Sequence, residues 1–393
     1  MRRMETDVAI IGGGIVGLST ALELRRRGRR VVVLDRGLIG AEASGRNGGG
    51  VRQHGRLLPE VPLAIAAVRM WERLDAELGR PTSYRQCGHM YVAENDADMA
   101  KLARMRDGEM ALGLDSEIIG PNALRELAPA IAGNLPGAKF CPTDGAADPS
   151  TATMAIAAAA EEAGAILMPH HAVTAIGRSG NRVDHVIAGD LRVEAPVVVN
   201  AAGPWAPRIA EMVDVYLPIY PSRANMMISA PTGPIARPFV QTASMDMAVC
   251  QLPDGSVRMG SGATPNDVSR FTYRKAFDQP LGDARPPPKV GLLFPALKDV
   301  PLRWRWSGIR ECTPDMMPII GPVSGVAGGP EGFFVSAGYS GHGFCLGPIA
   351  GRLAAEWLVE GRPSLDLSAF AYHRFLRPEG PLSVIKVLLE QTG

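Results

Sequence analysis

Residues 7–35 read DVAIIGGGIVGLSTALELRRRGRRVVVLD, and this stretch decides the fold. The apolar run 7–11 ends in Gly12-Gly13-Gly14, residues 15–27 read as a helix, and the β-branched run 31–34 closes on Asp35. Strand, tight glycine turn, helix and strand make one βαβ unit of a parallel sheet. In Gly12-x-Gly14-x-x-Gly17, Gly12 permits the turn, Gly14 lets backbone approach a pyrophosphate, and Gly17 lets helix pack on strand. The helix start then offers free N–H groups and a positive dipole end to phosphates. Asp35 can accept from both hydroxyls of an adenosine ribose. Alone the glycines say little, but with both strands, the helix and the acid in place they predict dinucleotide binding. The carboxylate disfavours a 2′-phosphate, although Arg36 stands beside it.

The rest of the chain limits the classes open to such a protein. At 393 residues it holds two to three domains' worth of chain at about 150 residues each. Forty-one basic against 40 acidic residues give a net charge of +1, which predicts no nucleic-acid partner and no anionic membrane surface. Cys87, Cys141, Cys250, Cys312 and Cys345 form no C-x-x-C pair, so no disulfide framework or metal site is expected, and a cytoplasmic location is. Glycines and Arg25-Arg26-Arg27 break the early apolar run, so neither a signal peptide nor an integral membrane segment is expected.

Residues 42–55 read as a Gly/Ser/Asn/Arg loop, 62–78 as a helix, and 150–163 as an Ala-rich helix capped by Ser150 or Thr151. Strands are expected at 165–168, 172–176, 197–202 and 332–336, with a helix at 347–359. The Pro- and Gly-dense stretch 216–305 suggests an antiparallel sheet with long connections, containing an alternating segment Ala248 to Leu252. The parallel-sheet signals recur at both ends and in the middle, which points to two discontinuous domains.

A two-cofactor flavoprotein reductase needs a second GxGxxG and a redox C-x-x-C, and a flavin hydroxylase usually shows a late Gly-Asp; none is present. Gly338-Tyr339-Ser340-Gly341-His342-Gly343 opens a helix some 300 residues downstream, where backbone N–H groups could face a reduced flavin's N1/C2 carbonyl. With IIGGGIVGLSTALEL, the loop Ala43 to Gly49, VVNAAGPW at 198–205, GIRECTPDMMPIIG at 308–321 and GYSGHGF at 338–344, the chain resembles the FAD-dependent D-amino-acid/glycine/sarcosine oxidoreductases along nearly its whole length. Through Val51-Arg52-Gln53 it is most similar to flavin subunits of opine, proline or hydroxyproline dehydrogenases.

That resemblance implies an α/β fold. Its parts would be a glutathione-reductase-like, Rossmann-type FAD domain over 1–80, 145–215 and 308–393, and a mixed or antiparallel-sheet substrate domain over 81–144 and 216–307. It implies non-covalent FAD held by Gly12, Gly14, Ile15, Val16 and Gly17; by Asp35 and Arg36; and by Ser44, Arg46, Asn47, Gly48 and Gly49. Val173, Ala202, Gly203 and Gly308 complete the cradle with Gly338, Gly341, His342, Gly343 and Phe344. Arg310 matches the arginine that clamps the substrate carboxylate, with Arg52 and Tyr339 as further substrate residues and His342 as the catalytic candidate at the flavin edge. Each position has a plainer reading: Arg310 an ion pair with Glu311 or Asp315, Val173 strand core, His342 a turn residue.

Two departures stand out. The flavin-bonding Cys of some relatives falls nearest Gly308, which leaves Cys312 as a buried apolar residue. The oxygen-activating Lys of monomeric sarcosine oxidases matches Arg258, which favours a dehydrogenase over an oxidase. Trp205 and Trp304 are expected in core or interface, and His170 and His171 as solvated residues. The expected reaction is oxidation of an amino acid or secondary amine such as proline, hydroxyproline, sarcosine or an opine, by hydride transfer from Cα to flavin N5. No general base is obvious, and a neutral amine needs none. The alternatives are a 2-hydroxy-acid dehydrogenase and an electron-relaying subunit of a hetero-oligomeric dehydrogenase.

Overall fold

The computed structural model describes residues 1–244, 247–264, 285–325 and 328–376. Parts of the expected substrate segment (265–284) and of the final FAD segment (beyond 376) therefore lie outside the described residues. The first βαβ unit forms as read: strand Val8–Ile11, helix Ile15–Arg26, strand Val31–Leu34. Both strands are buried at every position, which is why they read as unbroken apolar runs rather than alternating ones.

These strands sit inside a six-stranded sheet in the order 319–322, 333–337, 198–200, 8–11, 31–34 and 166–168. Its strands are parallel except Ile319–Pro322, which runs antiparallel at the edge. One face is covered by the helices Ile15–Arg26, Val61–Leu78, Pro149–Glu162 and Gly343–Glu360. The other packs on a four-stranded sheet built from 2–5, 173–179, 182–188 and 191–194. Residues 173–188 form a hairpin, longer than the single strand expected at 172–176.

A second, eight-stranded sheet runs in the order 302–312, 220–229, 257–264, 247–251, 239–242, 89–93, 137–141 and 117–119. All its neighbours are antiparallel except 239–242 against 89–93. The structure is thus mixed α/β, with a Rossmann-type sheet beside a mixed sheet. Strand Leu302–Cys312 runs through residue 308, where the sequence reading drew a domain boundary, so that division stays a proposal.

Three local readings are corrected. The helix at 149 is capped by Asp148, whose carboxylate accepts from the amide and the hydroxyl of Thr151, both at 2.9 Å; Ser150 and Thr151 lie inside the helix because Pro149 takes its first position. The last helix begins at Gly343 rather than 347 and carries Pro348 within it. The 42–55 stretch is not all loop: Ala43–Arg46 is one helical turn, and Gly50–Val51 pairs with Gly145–Ala146.

Helix Gly343–Glu360 lies directly on helix Ile15–Arg26. Gly347 and Gly351, one turn apart, face Ile15 and Ser19, and a Cβ on Gly351 would fall 2.5 Å from the Ser19 carbonyl carbon. Trp71 adds a tether, donating its indole N–H to the Cys345 carbonyl at 2.9 Å. Gly351→Ala should force the helices apart and lower stability by about 1–3 kcal/mol, the usual range for an overpacked core. Urea unfolding should show an earlier midpoint, and Gly351→Val a still earlier one.

Candidate active site

A cavity of about 590 Å³ lies between the two large sheets and follows the ends of the parallel strands. That is where open α/β sheets bind ligands. It begins at the glycine turn. Gly12 has φ +115°, and a Cβ there would meet the Ala201 carbonyl oxygen at 2.3 Å, so the strand 198–200 closes over a position only glycine fills. Gly14 occupies the helix N-cap and places no side chain over the first turn; the Ile15 amide donates to Ser44 Oγ at 2.9 Å. Asp35 accepts from the Gly13 and Gly37 amides, 2.7 Å each, so its carboxylate is fixed at the cavity wall with lone pairs left for a ribose.

Loop 43–49 is folded by its own polar groups. The Asn47 side chain donates to the Ala43 and Ser44 carbonyls and accepts from the Gly49 amide at 2.8 Å. Arg46 donates to the Ala41 carbonyl, and Trp306 donates to the Arg46 carbonyl at 2.9 Å, which ties the loop to strand Leu302–Cys312. Arg46, Asn47 and Gly48 line the cavity. So do Gly12, Gly14, Ile15, Val16, Asp35, Arg36, Ser44, Val173, Ala202, Gly203 and Gly308, with Gly341, His342, Gly343 and Phe344.

Gly17, Gly49 and Gly338 are not on the wall. A Cβ on Gly17 would come within 2.0 Å of the Gly12 carbonyl oxygen, and Gly49 and Gly338 hold positive-φ turns behind the surface. They support the cradle and do not form its surface. A glycine turn without side chains, an open helix start and a fixed carboxylate suit the phosphates and ribose of FAD.

At the other end, Arg310, Arg52, Tyr339 and His342 share the cavity. Arg310 lies against Gly341 and gives one Nη2 hydrogen bond to Ser222 at 3.1 Å. Neither ion-pair alternative holds among the described residues. Asp315 pairs with Arg374 at 2.7 Å, and Glu311 turns its side chain to the Tyr339 amide. Burial pushes the Glu311 carboxyl up to about 7, against the hydrogen bonds it accepts from the Tyr339 and Gly338 backbone.

Arg52 is turned back on its own loop, donating to the His54 and Gly55 carbonyls at 2.8 and 2.9 Å. Buried carboxylates hold that loop: Asp144 accepts from the Gln53 amide at 2.8 Å and Glu109 from the Gly55 amide at 2.6 Å. Glu109 is paired with buried Lys139 at 2.6 Å. Burial pushes Asp144 up to about 6. Arg56, which no motif marks, also lines the cavity and donates to the Arg52 carbonyl at 2.9 Å. Tyr339 is buried, with its hydroxyl 2.7 Å from Ser336 Oγ, so its aromatic body is what reaches the wall.

His342 Nδ1 lies 3.1 Å from both oxygens of Glu60, a fully buried carboxylate that sequence spacing also leaves unmarked. Burial, with Arg56, pushes His342 down to about 4. Burial alone would raise Glu60, but His342, Arg56 and Arg52 outweigh it and hold Glu60 below the usual carboxylate range.

Other expectations change. Arg258 is off the cavity wall; it pairs with Asp148 at 2.8 Å and reaches the Gly48 carbonyl, so it braces loop 43–49. Trp205 is not in the core: it lines the cavity under the Arg36 guanidinium, 3.7 Å from the ring centre, while Trp304 is largely exposed. His170 is exposed and His171 half-buried, in line with the solvated reading; they follow strand Ile166–Met168, where their amides donate to the Gly37 and Asp35 carbonyls. Three ligand-capable groups not singled out from the sequence, on His54, Cys141 and Asp144, lie within 4.8 Å of one another. Lys139, Arg52 and Arg56 surround them with positive charge, which opposes a cation.

The fold and this cradle define a flavin-dependent oxidoreductase. Residues 7–357 match the DAO family model, "FAD dependent oxidoreductase", and the chain belongs to that family; FAD is its cofactor. The chain is 28% identical over 389 residues to glycine oxidase of Geobacillus kaustophilus (strain HTA426), covering 95% of this chain and 98% of that one. The solved structure of L-proline dehydrogenase from P. horikoshii superposes with a TM-score of 0.84 at 27% identity, covering 96% of this chain and all of that one. Sarcosine dehydrogenase of Homo sapiens is 26% identical over 391 residues, covering 94% of this chain, which spans only 41% of that enzyme's length. No helix among the described residues is long and apolar enough to cross a membrane.

Gly308 faces Arg46, and Cys312 is buried away from the cavity wall, so neither puts a thiol where the resemblance marks a flavin bond; Cys345, the one cysteine among the described residues on the wall, is buried with its thiol turned to the Arg52 carbonyl at 3.4 Å. Acid precipitation should therefore release all flavin into the supernatant. Absorbance retained in the pellet would show a covalent link.

Proposed function

We propose that the protein oxidises the Cα–N bond of an amino acid with a secondary or primary amine, proline, hydroxyproline, sarcosine and opines being the candidates, and that it works as a dehydrogenase. The observation that carries this is Arg310: a guanidinium on the same cavity as the FAD cradle, with no carboxylate partner among the described residues. Its planar fork suits a bidentate carboxylate. Ser222 steadies one nitrogen and Gly341 leaves room beside it.

When bound, FAD supplies the two-electron acceptor for a hydride leaving Cα. The residues of the chain orient the substrate and keep water out. Arg310 fixes the carboxylate, and hence Cα, relative to the wall formed by Gly341, His342 and Gly343. Met226, Phe239, Met247 and Ala248 supply an apolar surface opposite. Such a dry, oriented site is what hydride transfer requires. The product imine would hydrolyse after release.

The dehydrogenase assignment no longer rests on Arg258, which is spent on Asp148. Gly260 and Met226 form that part of the wall, and no lysine among the described residues reaches the cavity. The competing reading is oxidation of a 2-hydroxy acid, which His342 with its Glu60 partner would serve as a base. An electron-relaying subunit would need partner chains for activity.

Purified protein under argon separates these readings. Its flavin should bleach with one of proline, hydroxyproline, sarcosine or an opine, and not with 2-hydroxy acids; bleaching by a hydroxy acid alone, or by nothing, overturns the assignment. Arg310→Ala should then raise KM by roughly 30- to several-thousand-fold, from the ~2–5 kcal/mol typical of breaking a desolvated charge pair. Arg310→Lys should recover part of that loss, and FAD content should stay unchanged. Loss of FAD with an unchanged KM would make Arg310 structural.

A further inference from the structure

Glu60 is a carboxylate that the scheme above does not use. It closes the turn Leu58–Glu60 at the start of helix Val61–Leu78, is fully buried, and is not on the cavity wall. Among the described residues its side chain has one hydrogen-bonding partner, Nδ1 of His342, equidistant at 3.1 Å from both oxygens. Burying a carboxylate is costly unless something specific compensates it. The compensation here comes from the imidazole and the nearby guanidinium groups of Arg56 and Arg52.

The geometry decides which nitrogen of His342 carries the proton. An ionised Glu60 only accepts, so Nδ1 must donate, and in a neutral ring Nε2 is then bare. His342 lines the cavity, its side chain is 16% exposed, and Nε2 has no protein partner among the described residues. We infer that Glu60 is a positioning residue that keeps the proton on Nδ1 of His342 and so presents the Nε2 lone pair to the substrate's amine.

The proton step balances without a redox partner, and the hydride loss it prepares would have bound FAD as its acceptor. An amino acid arrives as an ammonium; one N–H bond breaks, an Nε2–H bond forms, and the amine lone pair is freed to expel hydride from Cα. The resulting imidazolium stands against the Glu60 charge across 3.1 Å. The groups facing the ring are Glu60, Arg56 and Arg52, with Arg310 against neighbouring Gly341. Arg56 and Arg52 disfavour the imidazolium, and Glu60 is the counterweight that favours it. The consequence for turnover rests on the amine-oxidation reading; the tautomer does not.

The decisive measurement is nitrogen NMR of the FAD-loaded protein with labelled histidine, the His342 signals being assigned by their loss in His342→Gln. At pH 7 Nδ1 should be protonated and Nε2 bare; an Nε2–H tautomer or an imidazolium overturns the proposal. In steady state, Glu60→Gln should lower kcat on the order of 10- to 100-fold, part of the roughly 10²–10⁴ that positioned proton transfer supplies. KM and FAD content should change little, and Glu60→Asp should restore part of the rate. The acid limb of kcat/KM should move to lower pH, because losing the carboxylate weakens His342 as a proton acceptor. An unmoved limb with unchanged kcat overturns the role. Where Glu60→Gln loses FAD or fails to fold, the tautomer of the parent protein decides. If no amino acid bleaches the flavin, the substrate assignment fails while the tautomer is still measurable.

Discussion

The Gly12 carbonyl oxygen lies 2.0 Å from where a Cβ on Gly17 would stand. No other residue type allows helix Ile15–Arg26 so close to the strand end, and the rest of the cradle is built on that approach. It places the helix start beside the Asp35 carboxylate, which two backbone amides hold in turn. It also brings Ile15 and Ser19 under Gly347 and Gly351, so helix Gly343–Glu360 arrives at a defined height and carries His342 and Gly343 to the cavity. Residues more than 300 positions apart are thus set by one backbone contact.

The opposite wall is held electrostatically. Asp144 and Glu109 accept from the amides of Gln53 and Gly55, and Lys139 neutralises Glu109 inside the protein. Buried pairs of this kind contribute little net stability, since desolvation offsets attraction, but losing one partner is expensive. Their effect here is on shape: loop 52–56 is pinned so that the carbonyls of His54 and Gly55 receive Arg52. Arg52 and Arg56 are therefore oriented through a loop held by charges that are not on the cavity wall.

The βαβ unit was legible because its signals are local: three glycines at fixed offsets, two apolar runs and an acid at a strand end. That loop 43–49 and Arg310 share one cavity was expected through resemblance, since nothing local says that the loop folds against Trp306. What escaped is non-local. Strand 239–242 pairs in parallel with 89–93 across some 150 residues, and no periodicity encodes that partner. Arg56 and Glu60 sit in RLLPE, which spacing alone leaves indistinguishable from a surface turn. Arg258 was placed at the right strand, but its role changed because Asp148, hidden as a helix cap, reaches it first.

Charge at the reacting end explains why a histidine sits there instead of a lysine or a carboxylate. Arg52, Arg56 and Arg310 gather positive charge at the cavity, which suits an anionic substrate group. A lysine in that field would be another cation, and an ionised carboxylate facing Arg310 would compete with an anionic ligand for it; Glu311, which does line the wall, is turned to the Tyr339 amide and pushed up to about 7 by burial. A neutral imidazole is neither a cation nor a competitor. Burial and Arg56 push the ring's pKa down, while Glu60, one layer back and itself held down by His342, Arg56 and Arg52, is the one carboxylate that offsets them at the ring. The Glu60 carboxylate is separated from the cavity by the width of one ring, so the arginines and the imidazole proposed to take up a proton share one end of the same cavity.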